Sequence, residues 1–187
     1  MPLSFERDEQ TTRLLHGDTL VAEGAPATPT AEPASAPSIV EAREATERYA
    51  GRDPERHLFP TCFVCGPLRQ DDGLRVFPGP VVGSELVACP WTPDADLAGD
   101  HGAVAPTFVW AALDCPSGFA CMPPDRTSVL ASMTAELRGP VQPGSEYVLA
   151  AWKLDSEGRK HRAVSAVYDE GGSCLALAEA LWITLPD

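Results

Sequence analysis

Four strand-like segments in the last third of the chain most constrain its fold. They cover residues 128–138, 147–154, 159–168 and 174–184, and the linkers PVQPGS, DSEG and DEGGS are typical of hairpin connections. Two shorter strand-like segments lie upstream at residues 73–77 and 85–91. The apolar segment 106–112 is predicted to form a buried helix, with Pro106 in its first turn. This order predicts an α+β fold in which an antiparallel sheet, ending in a four-stranded meander, curls around one central helix.

A proline-rich spacer separates the N-terminus from this region. Residues 24–37 contain four prolines among Ala, Thr and Ser, so a semi-extended conformation is expected. We therefore divide the chain into an N-terminal extension, residues 1–37, and a main domain, residues 38–187. The extension is expected to be dispensable for folding. Residues 19–22 could form a short edge strand or could fray.

A helix is predicted directly after the spacer. Ser38 and Glu41 have the spacing of a capping box, in which each side chain bonds the other residue's backbone N–H. Gly51 is placed to end this helix in a left-handed conformation.

Composition excludes several classes of protein. The net charge of −13, from 27 acidic and 14 basic residues, would repel nucleic acid. No apolar run approaches the ~18 residues of a membrane-spanning helix. The charged N-terminus is unlike a secretory signal peptide, so the six cysteines are expected to be reduced thiols in a cytoplasmic protein.

The order of these elements, together with several short motifs, resembles the hotdog-fold acyl-CoA thioesterases, especially those of the phenylacetate pathway. The matching segments are residues 60–67, 72–77, 111–114, 140–144, 158–160, 169–172 and 175–178. The resemblance implies a hotdog fold, hydrolysis of an acyl-CoA or other acyl thioester, no cofactor, and assembly as a homodimer or a dimer of dimers.

The resemblance also places a catalytic acid at Asp114. This carboxylate would face a dimer cleft and act as general base or nucleophile. Backbone N–H groups at Thr107 and Phe108, in the first helical turn, would stabilise the oxyanion. Pro116 predicts that the helix kinks or stops near Asp114, so that the negative helix end favours the neutral carboxyl group. The alternative is that Asp114 merely ends the helix.

One departure from the family leaves other functions open. The family's His-Gly-Gly motif at the helix start is replaced by Ala105-Pro106-Thr107, although His101 stands four residues upstream and could approach the site through a shifted loop. A protein that binds acyl-CoA without turnover is therefore an alternative. A hotdog enoyl-CoA hydratase is another, because Asp96 and His101 have that family's spacing without its Asn-Pro.

Two further groups are candidates for substrate binding. Arg159 and Lys160 belong to a dense basic cluster that could bind the phosphates of coenzyme A, or could simply be a solvated hairpin tip. Trp110 and Phe108 are candidates to line an acyl tunnel.

Cys62 and Cys65 form a CxxC motif. Zinc requires about four ligands, and no second CxxC or HxxxH motif accompanies this pair. A packed turn is therefore favoured over a metal or redox site, and no metal is predicted. Cys115, next to Asp114, is a candidate nucleophile with no histidine near it in sequence.

Overall fold

The computed structural model describes residues 2–69, 72–123 and 126–186. Within these ranges lie nine β-strands and two α-helices. They are β1 Ser4–Arg7, β2 Thr12–His16, β3 Thr19–Gly24, α1 Ile39–Thr46, β4 Gly79–Pro80, β5 Val87–Trp91, α2 Pro106–Cys121, β6 Ser128–Leu137, β7 Tyr147–Glu157, β8 Lys160–Tyr168 and β9 Cys174–Thr184. Short 3₁₀ turns occur at Ala50–Arg52 and Ala95–Leu97.

Strands β4 to β9 form one antiparallel sheet in the order β4-β5-β7-β8-β9-β6, and α2 packs against it. The α+β prediction is therefore confirmed. The predicted four-stranded meander is only partly right, because β6 does not pair with β7. It crosses to the far side of β9, with Leu137 opposite Ala176, and so becomes an edge strand ten residues long.

Alternating side chains of β7 serve two different cores. Tyr147 and Leu149 join the core around α2, whereas Val148 and Ala150 join a second core on the opposite face. Helix α1 covers this second core through Ala42 and Ala45. The period of two residues in a strand accounts for the alternation. The sheet is consequently covered by a helix on each face.

Helix α2 continues through Pro116 to Cys121, so the expected end near Asp114 is wrong. A proline lacks the N–H that bonds the preceding turn, and its ring distorts that turn. Two serine hydroxyls satisfy carbonyl groups at this point: Ser165 Oγ donates to Leu113 O (2.6 Å) and Ser117 Oγ donates to Asp114 O (2.7 Å). These bonds hold the α2 backbone immediately before the proline.

Replacing Ser165 by alanine is expected to lower the free energy of unfolding by about 1–3 kcal/mol. Ser165 is fully buried, so the variant leaves the Leu113 carbonyl without this donor. Urea unfolding followed by circular dichroism measures the change. Ser35→Ala, at an exposed position in the spacer, is the control and should unfold like the wild type.

The N-terminal part of α1 follows the prediction. Ser38 N–H donates to Glu41 Oε2 (2.8 Å), and Glu41 N–H donates to Ser38 Oγ (3.2 Å), which completes the capping box. The helix ends at Thr46, however, and Gly51 lies in the following 3₁₀ turn. In β4, Gly79 contacts α1 so closely that a Cβ atom would lie 1.9 Å from a backbone oxygen of the helix.

The predicted strand at residues 73–77 is wrong. Leu74 N–H donates to Phe63 O (2.8 Å) and Val76 N–H to Val64 O (2.9 Å), so this stretch bonds to the preceding loop rather than to the sheet. The described residues between 53 and 78 contain no helix or strand of the main sheet. This irregular segment nevertheless buries Val64, Leu74 and Val76.

Strands β1 to β3 form a separate three-stranded antiparallel sheet, which shows residues 19–22 to be part of a strand. The spacer contacts the main sheet. Backbone N–H groups of Thr30 and Ala31 donate to Glu179, and Tyr168 Oη donates to Ala34 O (2.8 Å). The division at residue 37 stays a prediction. No helix in the described part of the chain is long and apolar enough to span a membrane.

Candidate active site

A cavity of about 420 Å³ lies beside the C-terminal half of α2. Its walls come from the irregular segment, from α2, from the start of β6 and from Trp182 of β9. Most of the lining is apolar, with Leu58, Phe59, Phe119, Met122, Val129, Leu130 and Trp182 contributing. Polar groups also reach it: Asp114 and three cysteine thiols line the wall, and Arg56 and Arg126 add positive charge. The cavity can thus hold an apolar chain with a polar reacting group.

Asp114 lies in the interior of α2 and lines this cavity. Its Oδ1 atom is buried and has no hydrogen-bond partner among the described residues. Burial raises the pKa of the carboxyl group to about 6, and the negative charge of Cys62 adds to the shift. The upward direction agrees with the sequence prediction, but the cause is desolvation rather than proximity to a helix end.

Three cysteines meet next to this carboxylate. The Sγ atoms of Cys62, Cys65 and Cys115 all lie within 4.8 Å of one another, and Cys62 Sγ lies 3.7 Å from Cys115 Sγ. Hydrogen bonds from the Cys115 and Cys65 thiols, and from backbone N–H groups, lower the pKa of Cys62. Its hydrogen bonds with Cys62 and Cys65, together with burial, raise the pKa of Cys115. Cys62 is therefore the most acidic thiol of the three.

His57 and Tyr49 lie next to the cysteine cluster, and the sequence did not indicate either of them as a site residue. Phe59 N–H donates to His57 Nδ1 (2.9 Å), while His57 Nε2 lies 2.9 Å from Tyr49 Oη. Tyr49 Oη in turn donates to Cys65 O (2.8 Å). This network assigns a neutral imidazole with its proton on Nε2. The available signal was a histidine five residues before a CxxC motif, which is weak by itself.

The predicted oxyanion donors lie away from Asp114. Thr107 and Phe108 are in the first turn of α2, and seven helical residues separate Thr107 from Asp114 by about 10 Å. Phe108 N–H already donates to Ala105 O (2.9 Å), and its ring packs 6.1 Å from that of Phe63. Within one subunit, these groups and Asp114 cannot act on the same carbonyl group.

His101 and Trp110 also lie outside the cavity lining. His101 is exposed in the turn before α2, and Trp110 is 37% exposed on α2 itself. Asp96 is exposed in the 3₁₀ turn at Ala95–Leu97. Asp96 and His101, which have the spacing of a hotdog enoyl-CoA hydratase, therefore both lie outside the cavity that Asp114 lines.

The predicted phosphate-binding residues occupy the tip of the β7–β8 hairpin. A guanidinium N–H of Arg159 donates to Thr184 O (3.2 Å), and Lys160 is exposed at the start of β8. Thr184 Oγ1 lies 2.9 Å from Ser128 Oγ, and Ser128 lines the cavity, so Arg159 lies near one end of it. The arginines that line the cavity itself are Arg56 and Arg126, which the sequence did not single out.

Comparison with solved structures identifies the fold. A thioesterase superfamily protein matches with a TM-score of 0.54 and 17% identity, over 59% of this chain and 57% of that one. The E. coli PaaI protein from the phenylacetic acid degradation operon matches with a TM-score of 0.51 and 13% identity, over 55% of this chain and 75% of its own. A Streptococcus mutans protein solved with acetyl-CoA bound matches with a TM-score of 0.51 and 10% identity, over 56% and 84% of the two chains.

These likenesses show that the chain has the hotdog fold, the fold of the thioesterase superfamily proteins that it matches. The fold prediction and the structural resemblance to phenylacetate-type proteins are confirmed. The match spans little more than half of the first of these structures. No protein-family model matches the sequence, and no curated protein matches it.

Proposed function

We propose that this protein hydrolyses an acyl-CoA thioester at the cavity beside Asp114. The observation that carries the proposal is a buried carboxylate oxygen without a hydrogen-bond partner, in a largely apolar cavity of a hotdog fold. Its lone pairs are not used by the described protein groups, so the carboxylate keeps unused capacity to accept a proton. The acetyl-CoA-bound structure among the matches supports a coenzyme A ester as ligand.

In the proposed reaction, Asp114 removes a proton from a water molecule, which attacks the thioester carbonyl carbon. The tetrahedral intermediate collapses by breaking the C–S bond, and the departing thiolate of coenzyme A takes up the proton that Asp114 removed from water, which restores the carboxylate. Phe59, Phe119 and Trp182 provide an apolar wall for the acyl chain. Arg56 carries positive charge that suits the phosphates of the substrate. Phosphate binding by Arg159 and Lys160 stays a prediction.

The oxyanion in this scheme requires a second subunit. The first turn of α2 lies about 10 Å from Asp114 in the same chain, so its N–H groups can only reach the carbonyl oxygen from a partner. Strand β6 offers the means of pairing, because it is a long edge strand with partly exposed Val129 and Leu137. We therefore propose a homodimer that brings Thr107 of one copy towards Asp114 of the other.

Light scattering in solution should give a mass of about 40 kDa at micromolar concentration, twice the 19.9 kDa of one chain. We expect a dimer because the outer edge of β6 is unpaired in one chain and because the site needs oxyanion donors from a second subunit. A mass of one chain across the accessible concentration range would contradict the dimer and the shared site. A larger, even multiple would indicate a dimer of dimers.

One observation favours a second function, binding of acyl-CoA without turnover. Phe108 N–H is already bonded within its own helix turn, and the His-Gly-Gly motif is absent, so this site has fewer free oxyanion donors. Release of free thiol from a panel of acyl-CoA esters separates the two functions. Catalytic turnover supports hydrolysis, whereas saturable binding without thiol release supports the binding protein. A cytoplasmic location stays a prediction.

A further inference from the structure

The three thiols beside α2 come from two distant parts of the chain. Cys62 and Cys65 belong to the irregular segment, and Cys115 lies 53 residues after Cys62 on the central helix. Nevertheless, all three sulfur atoms lie within 4.8 Å of one another. The helix therefore supplies a third soft ligand that the CxxC motif lacks in the sequence.

The separation of the sulfurs suits a single metal ion. Two thiolates bound to a tetrahedral zinc ion at about 2.3 Å each lie roughly 3.8 Å apart. Cys62 Sγ and Cys115 Sγ are separated by 3.7 Å, and the remaining pairs need to close by at most about 1 Å to reach that value.

A tight turn fixes the loop that carries Cys62 and Cys65. Gly66 N–H donates to Cys62 O (2.9 Å) and closes the turn. A Cβ atom at Gly66 would lie 2.5 Å from Cys62 N, so the turn requires glycine at this position.

We propose that Cys62, Cys65 and Cys115 bind one zinc ion as thiolates. Soft sulfur ligands select zinc over magnesium or calcium, and the cysteine thiols would release their protons as they bind the ion. The ion would fasten the irregular segment to α2. This cross-link would stabilise the irregular segment, which buries Val64, Leu74 and Val76 without forming a helix or a strand of the main sheet.

His57 is a neighbour of this site rather than a ligand. Its Nε2 atom lies 3.6 Å from Cys65 Sγ, but Nδ1 accepts the Phe59 N–H and Nε2 faces Tyr49 Oη. Binding zinc through Nε2 would require a proton on Nδ1, which would lose the bond from Phe59. The fourth position of the ion is therefore assigned to a water molecule from the cavity.

The test is the metal content of the full-length chain, purified under reducing conditions and measured by mass spectrometry. The wild type should hold about one zinc per chain. Cys115→Ser should hold less than about a tenth of that amount. Cys174→Ser is the matched control, because Cys174 is a half-buried thiol outside the cluster, and it should keep its zinc.

A cobalt titration of the wild type keeps the test decisive even if Cys115→Ser does not fold. Added Co²⁺ should produce a thiolate-to-cobalt charge-transfer band that saturates near one equivalent. A wild-type chain with neither zinc nor this band overturns the proposal. Equal metal loss in Cys115→Ser and Cys174→Ser also overturns it. These readouts do not depend on turnover, so they stand or fall separately from the proposed hydrolysis.

Discussion

Replacing Asp114 by asparagine is expected to lower the turnover of acyl-CoA by at least ~100-fold, the usual lower range for a lost general base. Asparagine keeps the shape of the side chain but cannot accept the proton from water. Because Oδ1 has no hydrogen-bond partner among the described residues, the variant loses no such bond. Its thermal midpoint and its affinity for acyl-CoA should therefore change little. Steady-state release of coenzyme A and a thermal melt measure the two effects.

Asp96→Asn is the matched control for this variant. It makes the same chemical change at an exposed position outside the cavity, and it should retain wild-type turnover. His101→Ala tests the other reading of the sequence, in which that histidine supplies the oxyanion or hydratase function. An active Asp114→Asn beside an inactive His101→Ala would contradict the assignment of Asp114.

Replacing Leu113 by alanine, one residue earlier on α2, is expected to lower the stability of the fold and to leave turnover nearly unchanged. Leu113 is fully buried in the core between the helix and the sheet. Removing its side chain leaves a cavity in close-packed surroundings, which costs about 2–5 kcal/mol of unfolding free energy. The urea midpoint should fall accordingly, while the folded fraction should retain acyl-CoA turnover near the wild-type value.

Leu154→Ala provides the comparison. Leu154 lies on β7 and is 41% exposed, so the same substitution removes few buried contacts and should change stability by less than about 0.5 kcal/mol. Similar urea midpoints for Leu113→Ala and Leu154→Ala would show that α2 is not the central core element described above.

Features that depend on neighbours within a few residues could be predicted from the sequence. The capping box of Ser38 and Glu41 forms as expected, because both partners lie in one helical turn. The β7–β8 hairpin forms around Gly158, which adopts the left-handed conformation (φ 58°) that its turn requires. The linker DEGGS likewise predicted the β8–β9 hairpin.

Features that depend on distant partners were predicted wrongly or missed. Pro116 suggested the end of a helix, yet α2 continues to Cys121, where it packs against strands that lie far along the chain. The segment 73–77 has a strand-like pattern, but its backbone finds partners in the preceding loop. Local propensity cannot determine which of several distant groups will complete a hydrogen bond.

The candidate site also combines features that the sequence predicts with features that only the tertiary structure shows. The resemblance located Asp114, and the sequence contained the CxxC motif, but only the tertiary structure brought Cys115 and His57 to the same wall of one cavity. Likewise, the raised pKa of Asp114 arises from burial by side chains that lie far apart in the chain. Sequence alone determined the chemical groups and the local turns that hold them. Packing of α2 against the sheet and the irregular segment decided which groups meet, because burial and sulfur–sulfur distances are properties of neighbours in space.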